Sequence, residues 1–295
     1  MVFKMKDLYI SKSKTDLPIM RPFIIRESPY GNLSKWLVNF SPGIFIFLTL
    51  IAIFWPFFSF GQNNYTIKTA FDALIKWIPF LFWGGFLFNI LISLFAMLFG
   101  TLAGAILGLG QLSQLYTIRT ISWFFTQLFR NSPWLVILFI VLLAFPFEVI
   151  VFGYIISIPD WMKAVFGLSL PVMANISEIV RGAVLSVPKG QWEAAESLAF
   201  SRLQILWKII LPQCFKRMIP PWMNWYAILT MATPLCSLLG VEEIITLSRQ
   251  AMEAENNHPE LLVPFYSFAL ALFFIYCYPI AKFTVYLEKK YSVKL

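Results

Sequence analysis

The stretch 83–110 reads WGGFLFNILISLFAMLFGTLAGAILGLG and contains no charged side chain. A helix rising about 1.5 Å per residue needs about 20 such residues to cross a hydrocarbon core roughly 30 Å thick. This stretch alone therefore points to a membrane-spanning helix. Outward from it, further apolar runs stand at 43–60, 133–152, 161–184, 221–241 and 261–286. They are continuous rather than alternating, the pattern of helical spans and not of a barrel. Composition agrees: 59% of residues are hydrophobic, 18% aromatic and only 13% charged, with a mean hydropathy of +0.73. Soluble domains carry about 25% charged residues, so a soluble enzyme and a disordered chain are excluded. The expected fold class is all-α, a polytopic membrane helical bundle of about six spans. We divide it into an N-terminal extension with the first span, 1–80, and a core, 81–290, carrying a long polar loop at 186–218. The first run follows a charged segment and no small-residue cleavage site comes after it, so it is expected to be a retained anchor.

Few residues are available for side-chain chemistry. Cys214, Cys236 and Cys277 are an odd, widely spaced set that builds neither a disulfide framework nor a zinc site. His258 is the only histidine, so His-based metal centres and triads start with almost nothing. The net charge of +8 has a topological explanation, because Lys and Arg collect in cytoplasmic loops. With the N-terminus inside, Lys4 to Lys35, Arg119, Arg130, the stretch from Arg181 to Arg217 and the C-terminal tail all face the cytoplasm. Only Lys68, Lys76, Lys163 and Arg249 then lie outside, together with the acidic connection containing Glu242 and Glu243.

The loop at 186–218 is too patterned for a simple turn. Pro188 stops the preceding helix and Gly190 permits a reversal. A short helix is expected from Trp192, with Glu193 in its first turn, where the dipole favours a negative charge. Ala194 and Ala195 give it a smooth face, suited to another protein's groove. Leu203, Leu206, Trp207, Ile210 and Leu211 then recur at helical spacing up to Pro212.

This loop resembles the EAA motif of ABC importer permeases: E-A-A, three residues, G, nine residues, I, one residue, L-P. Glu193, Ala194 and Ala195 match its start, and Ile209, Leu211 and Pro212 its end; Ala199 stands where the family has glycine. If that glycine takes positive φ, alanine costs on the order of 1 kcal/mol there; otherwise the short helix simply continues. The flanks are similar to the polar amino acid branch. Glu178-Ile179-Val180-Arg181-Gly182 and Val187-Pro188-Lys189-Gly190-Gln191 precede the motif, and Phe129-Arg130-Asn131-Ser132-Pro133 lies upstream. Leu211-Pro212-Gln213, Ile219-Pro220-Pro221 and Asn224 follow it. The branch's K-D-T-S stretch is replaced by Met231-Ala232-Thr233-Pro234.

The resemblance implies a type I ABC importer permease for polar amino acids, with Gly190, Glu193, Ala194, Ala195, Ala199, Ile209, Leu211 and Pro212 coupling it to a separate ATPase. It further implies a second permease chain, identical or paralogous, an extracytoplasmic substrate-binding protein, and a bacterial cytoplasmic membrane. The chain has no G-x-x-x-x-G-K-[ST] phosphate loop, so it is read as a transporter subunit without an ATPase site or bound cofactor, its partner hydrolysing ATP. Glu178, Asn224 and Thr233 are polar within apolar runs and are the expected path residues, although Glu178 and Arg181 at a spacing of three also suit a structural ion pair. Gly100, Gly104 and Gly108 form a small-residue stripe that suits close packing within the chain. A secondary transporter is the competing function. It would place several carboxylates or broken helices at the midplane, whereas only Glu178 lies clearly inside an expected span.

Overall fold

The computed structural model describes residues 67–151 and 154–291. The run at 43–60 and the basic N-terminal segment lie outside the described residues. A compact unit spanning Asn63–Leu295 contains all of the elements below. Helix α1 (Ile67–Phe80) passes through a π-turn at Leu81–Phe86 into α2 (Leu87–Gln111). Pro79 supplies no N–H to the preceding turn, and the looser π-turn follows it directly. The result is one 45-residue helix, longer than a bilayer core requires; the expected span 83–110 is its second part.

Helices α3 (Tyr116–Arg130) and α4 (Trp134–Ala144) are bent by 106° at the Asn131-Ser132-Pro133 break. The span expected at 133–152 is therefore cut short. Phe145 is extended, as a residue before proline prefers, and Pro146 prevents the helix from resuming. Strands β1 (Glu148–Val151) and β2 (Tyr154–Ser157) follow as an antiparallel hairpin, with Glu148 opposite Ser157. Its β-branched residues, Val149, Ile150, Val151 and Ile155, favour a strand over a continued helix. Helix α5 (Asp160–Leu185) is the central span. After it come α6 (Lys189–Ser197) and α7 (Arg202–Ile205), then a π-turn (Leu206–Ile210) leading into α8 (Leu211–Ala232) and a 3-10 segment (Thr233–Leu239). Helix α9 (Ile244–Ala254) is bent 51° from that run, and α10 (Leu262–Tyr291) closes the described chain.

Among the described residues three helices are long and apolar enough to cross a membrane, or five spans if each bent pair counts as one. These correspond to the five runs expected beyond residue 80. The glycine stripe packs within the chain. A Cβ on Gly100 would come 2.5 Å from Val172, one on Gly104 2.6 Å from the Met173 carbonyl, and one on Gly108 2.7 Å from the Ser177 carbonyl. Helices α2 and α5 thus meet nearly backbone to backbone. Around that pair, Leu138, Leu168, Tyr226 and Leu229 complete the largest core cluster. Trp222 Nε1 donates to Thr101 Oγ1 at 2.8 Å, and the Tyr226 and Tyr276 hydroxyls share a 2.7 Å hydrogen bond, tying α8 to α2 and α10.

Candidate functional site

The motif segment folds differently in detail from its sequence expectation. Helix α6 begins at Lys189, capped by the extended Pro188, so Gly190 lies inside its first turn and makes no reversal. Glu193 falls beyond that first turn, so its position owes nothing to the helix dipole. Pro212 likewise ends nothing: a π-turn precedes it and α8 continues through it. The irregular connection is consequently confined to the residues before Arg202, and the helix expected from 221 starts well ahead of that point.

Ala199 has φ +59°. The α6 helix ends there in a Schellman arrangement, the Phe200 N–H donating to Ala195 O at 3.3 Å and the Ala199 N–H to Glu196 O at 2.9 Å. A residue with a Cβ thus occupies the left-handed position at which the motif carries glycine. Immediately after, Ser201 and Gln204 form a capping box that starts α7.

The two ends of the motif meet in one apolar cluster. Ala195 is buried with Val184, Val187, Ile205, Ile210 and Cys214, and Trp192, Ile209 and Leu211 pack against them. The outward side differs. Gly190, Glu193, Ala194, Ala199 and Pro212 are exposed, and a Cβ on Gly190 would meet nothing within 4 Å. Beside them lies a groove of about 830 Å³ lined by Leu112, Trp192, Glu193, Glu196, Leu203 and Trp207, among others. The Glu193 carboxylate pairs with no cation among the described residues.

The three expected path residues do not converge. Glu178 receives two hydrogen bonds from Arg181, the shorter at 2.7 Å, and lies 3.7 Å from Arg130. It thereby ties α5 to the end of α3. Asn224 is exposed on α8. Thr233 is fully buried, and Asn89 Nδ2 donates to its hydroxyl at 2.9 Å.

Sequence reasoning missed the network to which Thr233 belongs. Glu243 was placed in an outer loop, yet it is fully buried and caps α9, accepting from the Ile245 and Thr246 N–H groups at 2.9 and 3.0 Å. Asn89, in the first turn of α2, donates to Glu243 Oε2 at 3.0 Å and accepts from the Ile244 N–H at 3.1 Å. One amide therefore holds both sides of the bend between α8 and α9. The available signal was Asn89 itself, an amide inside an uncharged run, where an unsatisfied polar group is costly. Lys163 was also placed in an outer loop. Its side chain is buried, 3.3 Å from Asp160 and 3.5 Å above the Phe147 ring.

Comparison with known proteins bears on this geometry. A family profile described as "Binding-protein-dependent transport system inner membrane component" matches residues 100–290. The L-cystine transport system permease protein TcyB of Bacillus subtilis (strain 168) is 31% identical over 222 residues, covering 73% of this chain and 91% of that one. The inner membrane amino-acid ABC transporter permease protein YhdY of Escherichia coli (strain K12) is 29% identical over 276 residues, covering 89% and 74%. Among solved structures, an amino acid ABC transporter crystallised with histidines superposes with a TM-score of 0.62 at 22% identity, over 75% of this chain and 98% of that one. An inward-facing MetNI methionine ABC transporter gives 0.55 at 17% identity, over 72% and 97%. The structural likeness establishes the fold, and the sequence matches establish the family: the chain belongs to the binding-protein-dependent inner membrane components, the permease subunits of ABC importers, in their amino acid branch.

Proposed function

We propose that this chain, paired with a second copy or a paralogue, forms the translocation path of an importer for polar amino acids and is driven by a separate ATPase docked at α6. A binding protein delivers solute outside, and both termini face the cytoplasm. The names of the relatives support an amino acid as cargo. The docking assignment is carried by Glu193: an exposed, unpaired carboxylate beside a groove, on a helix whose opposite face is anchored by Ala195. Gly190, Ala194, Ala199 and Pro212 contribute the exposed surface next to it, while Ile209 and Leu211 brace it from behind. ATP is bound and hydrolysed by the partner, and closure of the partner moves α6 and with it α5 and α8, a rigid-body switch. Of the polar path candidates, Asn224 is assigned to the path. Glu178 and Thr233 hold helices in place beside it.

The test is to extract the tagged full chain gently from its native membrane, as wild type and as Glu193→Arg. A Walker-type ATPase is expected to co-purify with the wild type and to be lost from the variant, while membrane insertion is unchanged. Retention of the ATPase by the variant overturns the docking site. Its absence from the wild type, together with ion-driven uptake by the chain alone, overturns the ATP-driven mechanism.

A further inference from the structure

A second cavity, of about 510 Å³, lies between α3 and α5 and is lined by Tyr116, Arg119, Trp123, Gln127, Glu178 and Arg181, with Gln111 and Thr120. Its charge balance is uneven. Glu178 is the sole carboxylate in the lining, and Arg181 and Arg130 both compensate it, at 2.7 and 3.7 Å. Arg119 remains over. Its guanidinium stacks on the Tyr116 ring at 5.8 Å, and it pairs with no carboxylate among the described residues. A cavity with excess guanidinium charge is complementary to an anion, and arginine suits phosphate and carboxylate oxygens best.

The setting of the cavity specifies the anion further. Gln111 ends α2 and Arg181 stands one turn from the end of α5, so the cavity lies where two spans leave the hydrocarbon. Helix α3 meets α4 at 106°, so the two cannot both follow the membrane normal. Helix α3 is held to the bundle by a small polar layer: Gln111 Nε2 donates to Thr126 Oγ1 and Ser177 Oγ at 3.1 and 2.6 Å. Ser122 and Thr126 are its only buried residues. Most of its remaining surface is exposed and amphipathic, with Ile118, Ile121, Phe124, Phe125 and Leu128 beside Tyr116 and Trp123, while Gln127 and Phe129 are half-buried. Apolar residues with Trp, Tyr and Arg on one short helix are what lies in a membrane interface, rings at the headgroup level.

We propose that α3 lies in the membrane interface and that the cavity behind it holds the phosphate of an anionic phospholipid headgroup, with Arg119 as its principal ligand. Arg181 and Gln127 supply further donors, Tyr116 and Trp123 flank the glycerol region, and the acyl chains run along the apolar side of α3. The lipid then adds to the polar ties that hold α3 to the bundle, the Gln111–Thr126–Ser177 layer and the Arg130–Glu178 pair. Arg119 belongs to none of the motif segments, whereas Glu178 and Arg181 in the same lining belong to the segment that precedes the loop.

The test uses the full chain with its co-purified subunits in detergent, titrated with phosphatidylglycerol or phosphatidylcholine, bound lipid being counted by native mass spectrometry. The wild type is expected to retain phosphatidylglycerol in preference to phosphatidylcholine. Arg119→Gln should hold it about tenfold more weakly, the loss of one charge-assisted hydrogen bond. Arg119→Lys, which keeps the charge, should recover most of the difference. Inorganic phosphate at the same concentration should not displace the lipid. Equal retention by wild type and Arg119→Gln overturns the site. Displacement by inorganic phosphate assigns the cavity to a free anion, and displacement by a mixture of amino acids assigns it to the cargo; either overturns the lipid assignment.

Discussion

Two glutamates of this chain stand in opposite circumstances. Glu193 is exposed on α6, pairs with no cation among the described residues and borders an open groove. Glu243 is fully buried, and its oxygens accept from two backbone N–H groups and from Asn89. The first is spent on nothing inside the chain and is available to a partner. The second is wholly committed to holding the bend between α8 and α9. Glu243→Ala should therefore produce the largest stability loss, about 3 kcal/mol, because it strands the Ile245 and Thr246 donors and one Asn89 hydrogen in a buried site. Thermal unfolding in detergent measures it. Glu193→Ala should leave the same midpoint unchanged and lower ATP-driven uptake. Equal midpoints for the two variants would erase the distinction.

A second contrast lies among the glycines. Gly104 sits against the Met173 carbonyl and Ile176, whereas a Cβ on Gly182, in α5, would meet nothing within 4 Å. Gly104→Val should destabilise by about 2 kcal/mol, since neither backbone nor a β-branched neighbour can yield. Gly182→Ala should be neutral or slightly stabilising. If both behave alike, the close approach of α2 and α5 is absent in the folded protein, and the stripe serves some other interface.

Ala199 extends the contrast to a residue that ought to be glycine. At φ +59° its Cβ crowds the neighbouring carbonyl, and the Schellman hydrogen bonds hold it there. Ala199→Gly should stabilise the segment by about 1 kcal/mol. A lower midpoint for that variant would mean that Ala199 contributes through its methyl group rather than suffering from its backbone.

What the sequence reveals and what it hides divides along the same line as the two glutamates. The motif from Glu193 to Pro212 is legible because its meaning is local: spacing on consecutive helices brings Ala195, Ile209 and Leu211 into one cluster. The long apolar helices are legible because bilayer thickness dictates their length. The commitment of Glu243 is not, because it depends on Asn89, which is remote in the chain and joined to it only by the packing of α2 against the bend. Helix ends were misplaced for a different reason. In sequence the helical spacing is followed only as far as Pro212, yet a π-turn precedes that proline and the helix runs on through it. The hairpin at 148–157 was hidden inside an apolar run, where hydropathy alone does not separate a span from two short strands.

The smallest effect concerns the outer tie between α1 and the end of α9. Glu255 accepts from Lys76 Nζ at 2.7 Å and from Trp77 Nε1 at 2.9 Å, and these bonds hold its carboxyl below the ordinary carboxylate range, Lys76 first and Trp77 next. A depressed folded value means that the contribution to stability is complete above the ordinary unfolded pKa and is lost as pH falls through the lowered one. Lys76 is largely exposed, so the worth of the pair is about 0.5 kcal/mol and salt weakens it. Lys76→Met should remove most of the decline in midpoint that the wild type shows on acidification at low ionic strength, and little of it at high salt. A decline on acidification that Lys76→Met leaves untouched would show that the Lys76–Glu255 tie does not carry it.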